Sequence, residues 1–168
     1  TVTGVQTCAL PIWIGMWGHS MGGFLTLRAM VIDRSVKAGV IWAGVVGDYD
    51  QLMNSWTRRA PVPASIPQRV LNLRKRAVEQ YGTPSSNPTF WNTLSANTYL
   101  KDLGGPIQLH IGTNDEDVPV AFHTALAAQL RPLGKLGGNY VYPGDNHNLS
   151  GNLRVALNRS VQFFRDRL

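Results

Sequence analysis

The chain predicts an α/β fold, with a mostly parallel sheet of about four strands flanked by helices. Three observations carry that expectation. Short apolar runs alternate with longer stretches of helical periodicity, the pattern of strands joined by crossover helices. The connections between them are short and marked by Gly, Pro, Asn and Asp. The 168 residues, 43% of them hydrophobic, suffice for one domain with a sizeable core.

The first apolar run, Ile12-Trp13-Ile14-Gly15-Met16-Trp17, reads as a buried strand. Gly18-His19-Ser20-Met21-Gly22-Gly23 is a tight turn, and Phe24 to Ile32 is a buried helix. Gly18 and Gly22 flank Ser20 because the turn is sharp, and a Cβ at either place is expected to clash with the neighbouring strand or the helix start. After Asp33-Arg34-Ser35, the run from Val36 to Gly44 reads as a second buried strand. Strand, helix and strand with short links imply a right-handed parallel crossover. The least regular region runs from Val45 to Pro67 and holds Pro61, Pro63 and Pro67 with Tyr49 and Trp56. It reads as the start of an insertion over the sheet, reaching to about residue 100.

A helix is predicted from about Gln68 to Tyr81, closed by Gly82 and Pro84. Asn87-Pro88 supplies an N-cap and a first-turn proline for a short helix carrying Phe90, Trp91 and Leu94. Pro106 to Gly112 is the third strand, Thr113 to Pro119 a loop, and Val120 to Leu130 a helix whose Phe122, Leu126 and Leu130 share one face. Asn139-Tyr140-Val141-Tyr142 is a short fourth strand, followed by the loop Pro143 to Asn148. The last helix, from about Ser150 to Arg167, sets Leu153, Leu157, Val161, Phe164 and Leu168 on one stripe expected to face the core.

The formal charge of +6 arises from 16 Lys and Arg against 10 Asp and Glu. The basic groups are scattered, except for Arg58-Arg59 and Arg74-Lys75-Arg76. The latter sits in a helical pattern and reads as a solvated helix face, so no nucleic-acid partner is expected. No apolar run reaches the roughly 18 residues of a membrane span, so none is expected. The histidines form no H-x-x-x-H or Cys/His pattern, so no metal and no cofactor are expected. His19 and His110 read as packed or hydrogen-bonded, and His123 as a surface residue.

Residues 2–12 resemble the translation of a common sequencing-library adapter. Residues 1–12 are therefore expected to be a non-native leader, with the native chain starting near Trp13. Cys8, the one cysteine, falls in that leader, so cysteine usage says nothing of redox compartment. Neither compartment nor oligomeric state is readable, and cytoplasmic and secreted locations stay open.

In a parallel sheet, sites form at the carboxyl ends of the strands. Three loops in that position carry Ser20, Asp115 and His147. A serine hydroxyl is a poor nucleophile until an imidazole takes its proton, and the imidazole needs a carboxylate to fix its tautomer. Gly18-His19-Ser20-Met21-Gly22 between strand and helix is the nucleophile-elbow pattern of α/β-hydrolases, and the order Ser, Asp, His is also theirs. The Met21 N–H, at the positive end of the following helix, is the expected oxyanion donor. Trp42 and Trp91 are the candidates to line an apolar substrate pocket.

The segments Gly15 to Arg28, Gln108 to Pro119 and Tyr142 to Asn148 resemble the catalytic domain of the prolyl oligopeptidase-type serine peptidases. That family's acid loop, G-x-x-D-x-x-V-P, matches Gly112-Thr113-Asn114-Asp115-Glu116-Asp117-Val118-Pro119 and selects Asp115. Glu116 and Asp117 are then expected to be solvated loop charges. The family's G-x-x-H matches Gly144-Asp145-Asn146-His147. The resemblance spans Trp13 to Leu168, the C-terminal part of an α/β-hydrolase domain. It places the first strands, a second oxyanion donor and any propeller upstream. It implies a serine hydrolase acting through an acyl-enzyme on a peptide, with a small acyl ester as the alternative substrate and a non-catalytic fragment as a further reading. The chain by itself is expected to be weakly active at best.

Overall fold

The computed structural model describes residues 13–56 and 68–168. The adapter-like leader with Cys8, the pair Arg58-Arg59, and Pro61, Pro63 and Pro67 lie outside the described residues.

Four strands form one sheet in chain order: β1 (Ile14–His19), β2 (Val36–Trp42), β3 (Ile107–Gly112) and β4 (Leu136–Tyr142). Every pairing is parallel, with Trp17 beside Val40, Ile41 beside Leu109 and His110 beside Tyr140. Parallel neighbours cannot be joined by a hairpin, so each connection carries a crossover. These are α1 (Met21–Ile32) after β1, α2 (Gln68–Tyr81) and α3 (Pro88–Leu94) after β2, and α4 (Val120–Leu130) after β3. The last helix, α5 (Leu153–Arg167), follows β4.

Strand alternation divides the core in two. Ile107 and Leu109 of β3 point to the face where Leu27 and Met30 of α1 and Phe122, Leu126 and Leu130 of α4 form the larger cluster. Ala38, Val40 and Trp42 of β2 point the other way, to Ala156 and Phe163 of α5 and to Tyr142 and Leu149. Because all four strands run alike, their carboxyl ends share one edge of the sheet, and the loops after β1, β3 and β4 meet there.

The short helix α3 starts as its sequence predicts, with the Asn87 side chain accepting from the Phe90 N–H at 3.3 Å. The basic group Arg74-Lys75-Arg76 is exposed on α2, and Lys75 pairs with Glu79 one turn on. Among the described residues no helix is long and apolar enough to cross a membrane.

Three expectations change. The fourth strand begins at Leu136, three residues before the apolar run that announced it, because Leu136 and Gly138 pair with Ile107 and Gln108 and the register shifts across Gly137 between them. In α5 most of the expected stripe faces outward: Leu153, Leu157, Val161 and Leu168 are all close to half exposed, Phe164 alone of the five packs partly against the core, and Ala156, Ser160 and Phe163 are buried. The small side chains of Ala156 and Ser160 let the helix sit close to β2, and the Trp42 indole N–H donates to Ser160 Oγ at 3.1 Å. The buried stripe thus lies one residue, or about 100°, round the helix from the larger apolar one. His123 is buried rather than on the surface, its Nε2 bonded to Asn139 Oδ1 of β4 at 2.6 Å. Burial holds its pKa below the ordinary histidine value, against the opposing effect of the Asn139 bond.

Candidate active site

The parallel ladder runs one residue past β1, so that the Ser20 N–H donates to the Trp42 carbonyl at 2.9 Å. The chain then reverses. Ser20 has φ 56° and ψ −119°, a left-handed conformation that a side chain disfavours and that the surrounding contacts must hold. The Ser20 carbonyl accepts from the N–H groups of Gly23 and Val45 at 3.0 and 3.1 Å, tying the turn to α1 on one side and to the segment that follows β2 on the other. Met21 opens α1, and ahead of Gly23 the N–H groups of Met21 and Gly22 have no main-chain acceptor in a preceding turn among the described residues. They form the positive end of the helix, next to Ser20.

The glycines divide differently from expectation. A Cβ on Gly18 would run into the Gly22 carbonyl and Thr26 Oγ1, as predicted. A Cβ on Gly22 would meet nothing within 4 Å, so no clash accounts for that glycine. The second tight position is Gly23, where a Cβ would come 2.6 Å from Ile41 Cγ2 and 2.8 Å from Gly44 Cα. The steric demand therefore follows the packing of α1 on β2 rather than the symmetry of the motif.

Asp115 is buried in the loop between β3 and α4. Its Oδ1 accepts from the N–H groups of Asp117 and Val118 at 2.9 and 2.8 Å, and from His147 Nδ1 at 2.9 Å. The Asp115 Oδ2 lies 3.0 Å from the same nitrogen. A carboxylate only accepts, so the neutral imidazole carries its proton on Nδ1 and leaves the Nε2 lone pair free for a proton from elsewhere. This is the tautomer a general base needs. Burial by itself would lower the His147 pKa. The Asp115 hydrogen bond and charge, with the charges of Asp117 and Glu116, outweigh burial and hold it above the ordinary value.

Glu116 and Asp117 are therefore not mere solvated charges. Glu116 Oε2 accepts from the main-chain N–H of His147 at 3.1 Å. Asp117 Oδ2 lies 3.8 Å from His147 Nε2. The Trp56 indole reaches this loop from the stretch after β2, donating to the Asp117 carbonyl at 2.8 Å. On the other side, His19 Nε2 donates to the His147 carbonyl at 2.9 Å, and the two imidazole rings are 4.6 Å apart.

The fold thus brings Asp115 and His147 into direct contact, and sets His19, the chain neighbour of Ser20, against His147. Among the described residues no hydrogen bond joins Ser20 Oγ to His147 Nε2. Trp42 and Trp91 do not open onto this site. Trp42 is 3% exposed and packs between the sheet and α5, while Trp91 is 4% exposed, with its indole on the Gly82 carbonyl and its ring against Tyr49. Both rings satisfy core positions. His110 is packed as expected, bonded through Nδ1 to the Tyr142 hydroxyl at 2.9 Å and through Nε2 to Gln108 Oε1 at 2.7 Å.

Asp145 is a site residue that motif reading passes over. Its carboxylate is buried and accepts from the N–H groups of Asn146, Gly151 and Asn152 and from Asn152 Nδ2, at 2.9 to 3.0 Å. These bonds fold the loop that carries His147. An Asp at the head of a run rich in Asn, Ser and Gly is the one local sign of such a turn.

The chain matches the prolyl oligopeptidase family over residues 11–168. A protein described as a probable dipeptidyl-aminopeptidase B, from Metarhizium robertsii, is 30% identical over a stretch covering 68% of this chain and 14% of its own length. The crystal structure of Porphyromonas gingivalis dipeptidyl peptidase 4 superposes with a TM-score of 0.63 at 24% identity, covering 92% of this chain and 20% of that one. A Pyrococcus furiosus esterase superposes with a TM-score of 0.60 at 16% identity, covering 92% of this chain and 54% of the esterase. The chain spans about a seventh of the length of the curated relative it matches. These structures share the α/β-hydrolase fold, of which this chain forms a part. On its four-stranded parallel sheet, with a match running from residue 11 to the last, the chain belongs to the prolyl oligopeptidase family.

Proposed function

We propose that this chain carries the catalytic residues of a serine peptidase that cleaves peptide bonds through an acyl-enzyme. The observation that supports the reading best is the His147 Nδ1 to Asp115 bond, which leaves Nε2 as the base on the side where the elbow lies. Ser20 Oγ attacks the carbonyl carbon of the scissile bond as His147 Nε2 takes its proton. The resulting imidazolium is steadied by Asp115. The tetrahedral oxyanion is placed at the start of α1, within reach of the Met21 N–H. Collapse expels the amine, which receives the proton from His147 and leaves an ester on Ser20. Water, deprotonated by His147 in turn, releases the acid and restores the serine.

The family and the dipeptidyl-aminopeptidase relative favour a peptide as the acyl donor. An esterase is the second reading, since an esterase shares the fold and the same acyl-enzyme route serves both. A fluorophosphonate probe tests the nucleophile: the intact protein is expected to be labelled, and Ser20→Ala to abolish labelling. Equal labelling of both would place the nucleophile elsewhere. Assays on dipeptidyl amides and on short acyl esters then separate the two reactions. Ester turnover with no amide turnover would overturn the peptidase reading and leave the hydrolase.

A further inference from the structure

His147 is held by more than its ring. Its main-chain N–H donates to the Glu116 carboxylate at 3.1 Å, and its carbonyl accepts from His19 Nε2 at 2.9 Å. The two partners come from different parts of the chain. Glu116 follows the orienting carboxylate Asp115 in the β3–α4 loop, and His19 precedes the nucleophile at the end of β1. We propose that His19 and Glu116 form a main-chain clamp on His147, with His19 as the positioning residue that fixes the distance from base to nucleophile.

The geometry supports this in three ways. The elbow is a firmly held turn, because Ser20 is pinned by three main-chain hydrogen bonds, so a side chain projecting from His19 starts from a fixed point. The His19 ring is also packed against the His147 ring at 4.6 Å, with the planes tilted by 52°, which limits rotation of the base about its own side-chain bonds. Finally, the carbonyl of His147 can only accept, so His19 must carry its proton on Nε2, and the bond is lost with any side chain that lacks a donor there. Asp115 fixes the tautomer and tilt of the imidazole through bonds that join the acid loop to the His147 ring. Without His19, His147 would lose its main-chain bond to the elbow, and its distance from Ser20 Oγ would be set by the acid loop and by the packing of Leu149 further along the loop. A displacement of about 1 Å at a reacting group can cost on the order of a hundredfold in rate.

The inference rests on the reading of His147 as the general base, and the experiment separates the two. In the intact protein, with active sites counted by fluorophosphonate titration, His19→Phe keeps a ring against His147 and removes the donor. It is expected to lower kcat by roughly tenfold to a hundredfold with KM within about twofold. His19→Gln restores an N–H donor and is expected to return kcat to within about threefold. Glu116→Gln keeps an acceptor for the His147 N–H and is expected to do the same, while Glu116→Leu is expected to fall with His19→Phe. Thermal midpoints measured beside kcat separate a purely structural role, which would lower stability in the phenylalanine variant without changing turnover per titrated site. Equal kcat for His19→Phe and His19→Gln, whether both high or both low, would overturn the clamp. His147→Ala, run in the same assay, tests the base itself: undiminished turnover there would overturn the reading on which the clamp depends, whatever the His19 variants do.

Discussion

The carbonyl oxygen of Asp145 accepts from the main-chain N–H of Asn114 at 2.8 Å, and that bond ties the loop of His147 to the loop of Asp115. The two loops touch so closely there that a Cβ on Gly112 would drive into the same carbonyl. The Asp145 side chain then folds its own loop through the N–H groups of Asn146, Gly151 and Asn152. Asp145→Ala removes the acceptor of all three and is expected to cost about 1–3 kcal/mol of stability. Urea unfolding of the intact protein, compared with Asp145→Asn, measures it. The asparagine variant keeps an acceptor oxygen and is expected to fall between the two.

At the elbow, the two glycines of the motif are predicted to behave unalike. Gly18→Ala forces a methyl group against the Gly22 carbonyl and Thr26, neither of which can move without shifting α1, and overpacking of this kind costs about 1–3 kcal/mol. Gly22→Ala meets open space inside the first turn of a helix, where alanine is favoured over glycine by about 0.5–1 kcal/mol. Thermal midpoints should therefore fall for the first and hold or rise for the second. Equal destabilisation would mean that the elbow needs Gly22 for a reason other than space.

Activity should depend on His147 in its neutral form. Asp115, Asp117 and Glu116 together hold its pKa above the ordinary 6.5. A base with a raised pKa is lost sooner on acidification, so the acidic limb of kcat/KM should lie above 6.5 in the free enzyme. Asp117→Asn removes the charge 3.8 Å from Nε2 and should move that limb to lower pH. A limb that stays put in Asp117→Asn would show that Asp117 does not act on the titrating group.

Asp115→Asn should be far more damaging than Asp117→Asn. An asparagine can turn its amide toward Nδ1 and stabilise the tautomer with the proton on Nε2, which blocks the base. The corresponding change in a catalytic triad costs on the order of 10⁴-fold in kcat. Steady-state kinetics with the protein's best amide or ester substrate measures it.

The residues that could be read from the chain are those whose signal is local. Strand β3 and helix α4 stand within a residue or so of their sequence boundaries because Ile107 to Gly112 is a buried run and Phe122, Leu126 and Leu130 recur on one face. Asp115 is set apart from Glu116 and Asp117 by the resemblance of its loop to the family's G-x-x-D-x-x-V-P form, and the structure bonds its carboxylate to His147 Nδ1. Partners across the sheet left no such mark. Nothing near Glu116 announces a main-chain bond to a residue 31 positions away, and nothing near His19 announces one 128 positions away. The α5 stripe misled for a related reason. Periodicity counts apolar residues, whereas the face that packed was the one with Ala156 and Ser160, small enough to let the helix approach β2 and Trp42.

His110 offers the last test, of the core rather than the site. It lies between Gln108 and Tyr142, with Arg159 donating to the Tyr142 hydroxyl at 3.2 Å. Since Gln108 Oε1 accepts from Nε2, Nδ1 is the acceptor for the Tyr142 hydroxyl, and the neutral ring satisfies both neighbours. Burial, with the charges of Arg159 and His123 adding to it, pushes the His110 pKa down to about 3 from 6.5. In the unfolded chain the same imidazole gains a proton near 6.5, so between those values the unfolded state binds more protons. Stability from this group is therefore fully present above 6.5 and is lost as pH falls toward 3, at about 1 kcal/mol per pH unit. Denaturant unfolding at pH 6 and pH 4.5 should show that slope, and His110→Gln, which has no proton to gain, should flatten it. Parallel stability curves for the two proteins would mean that the buried imidazole does not couple folding to acid.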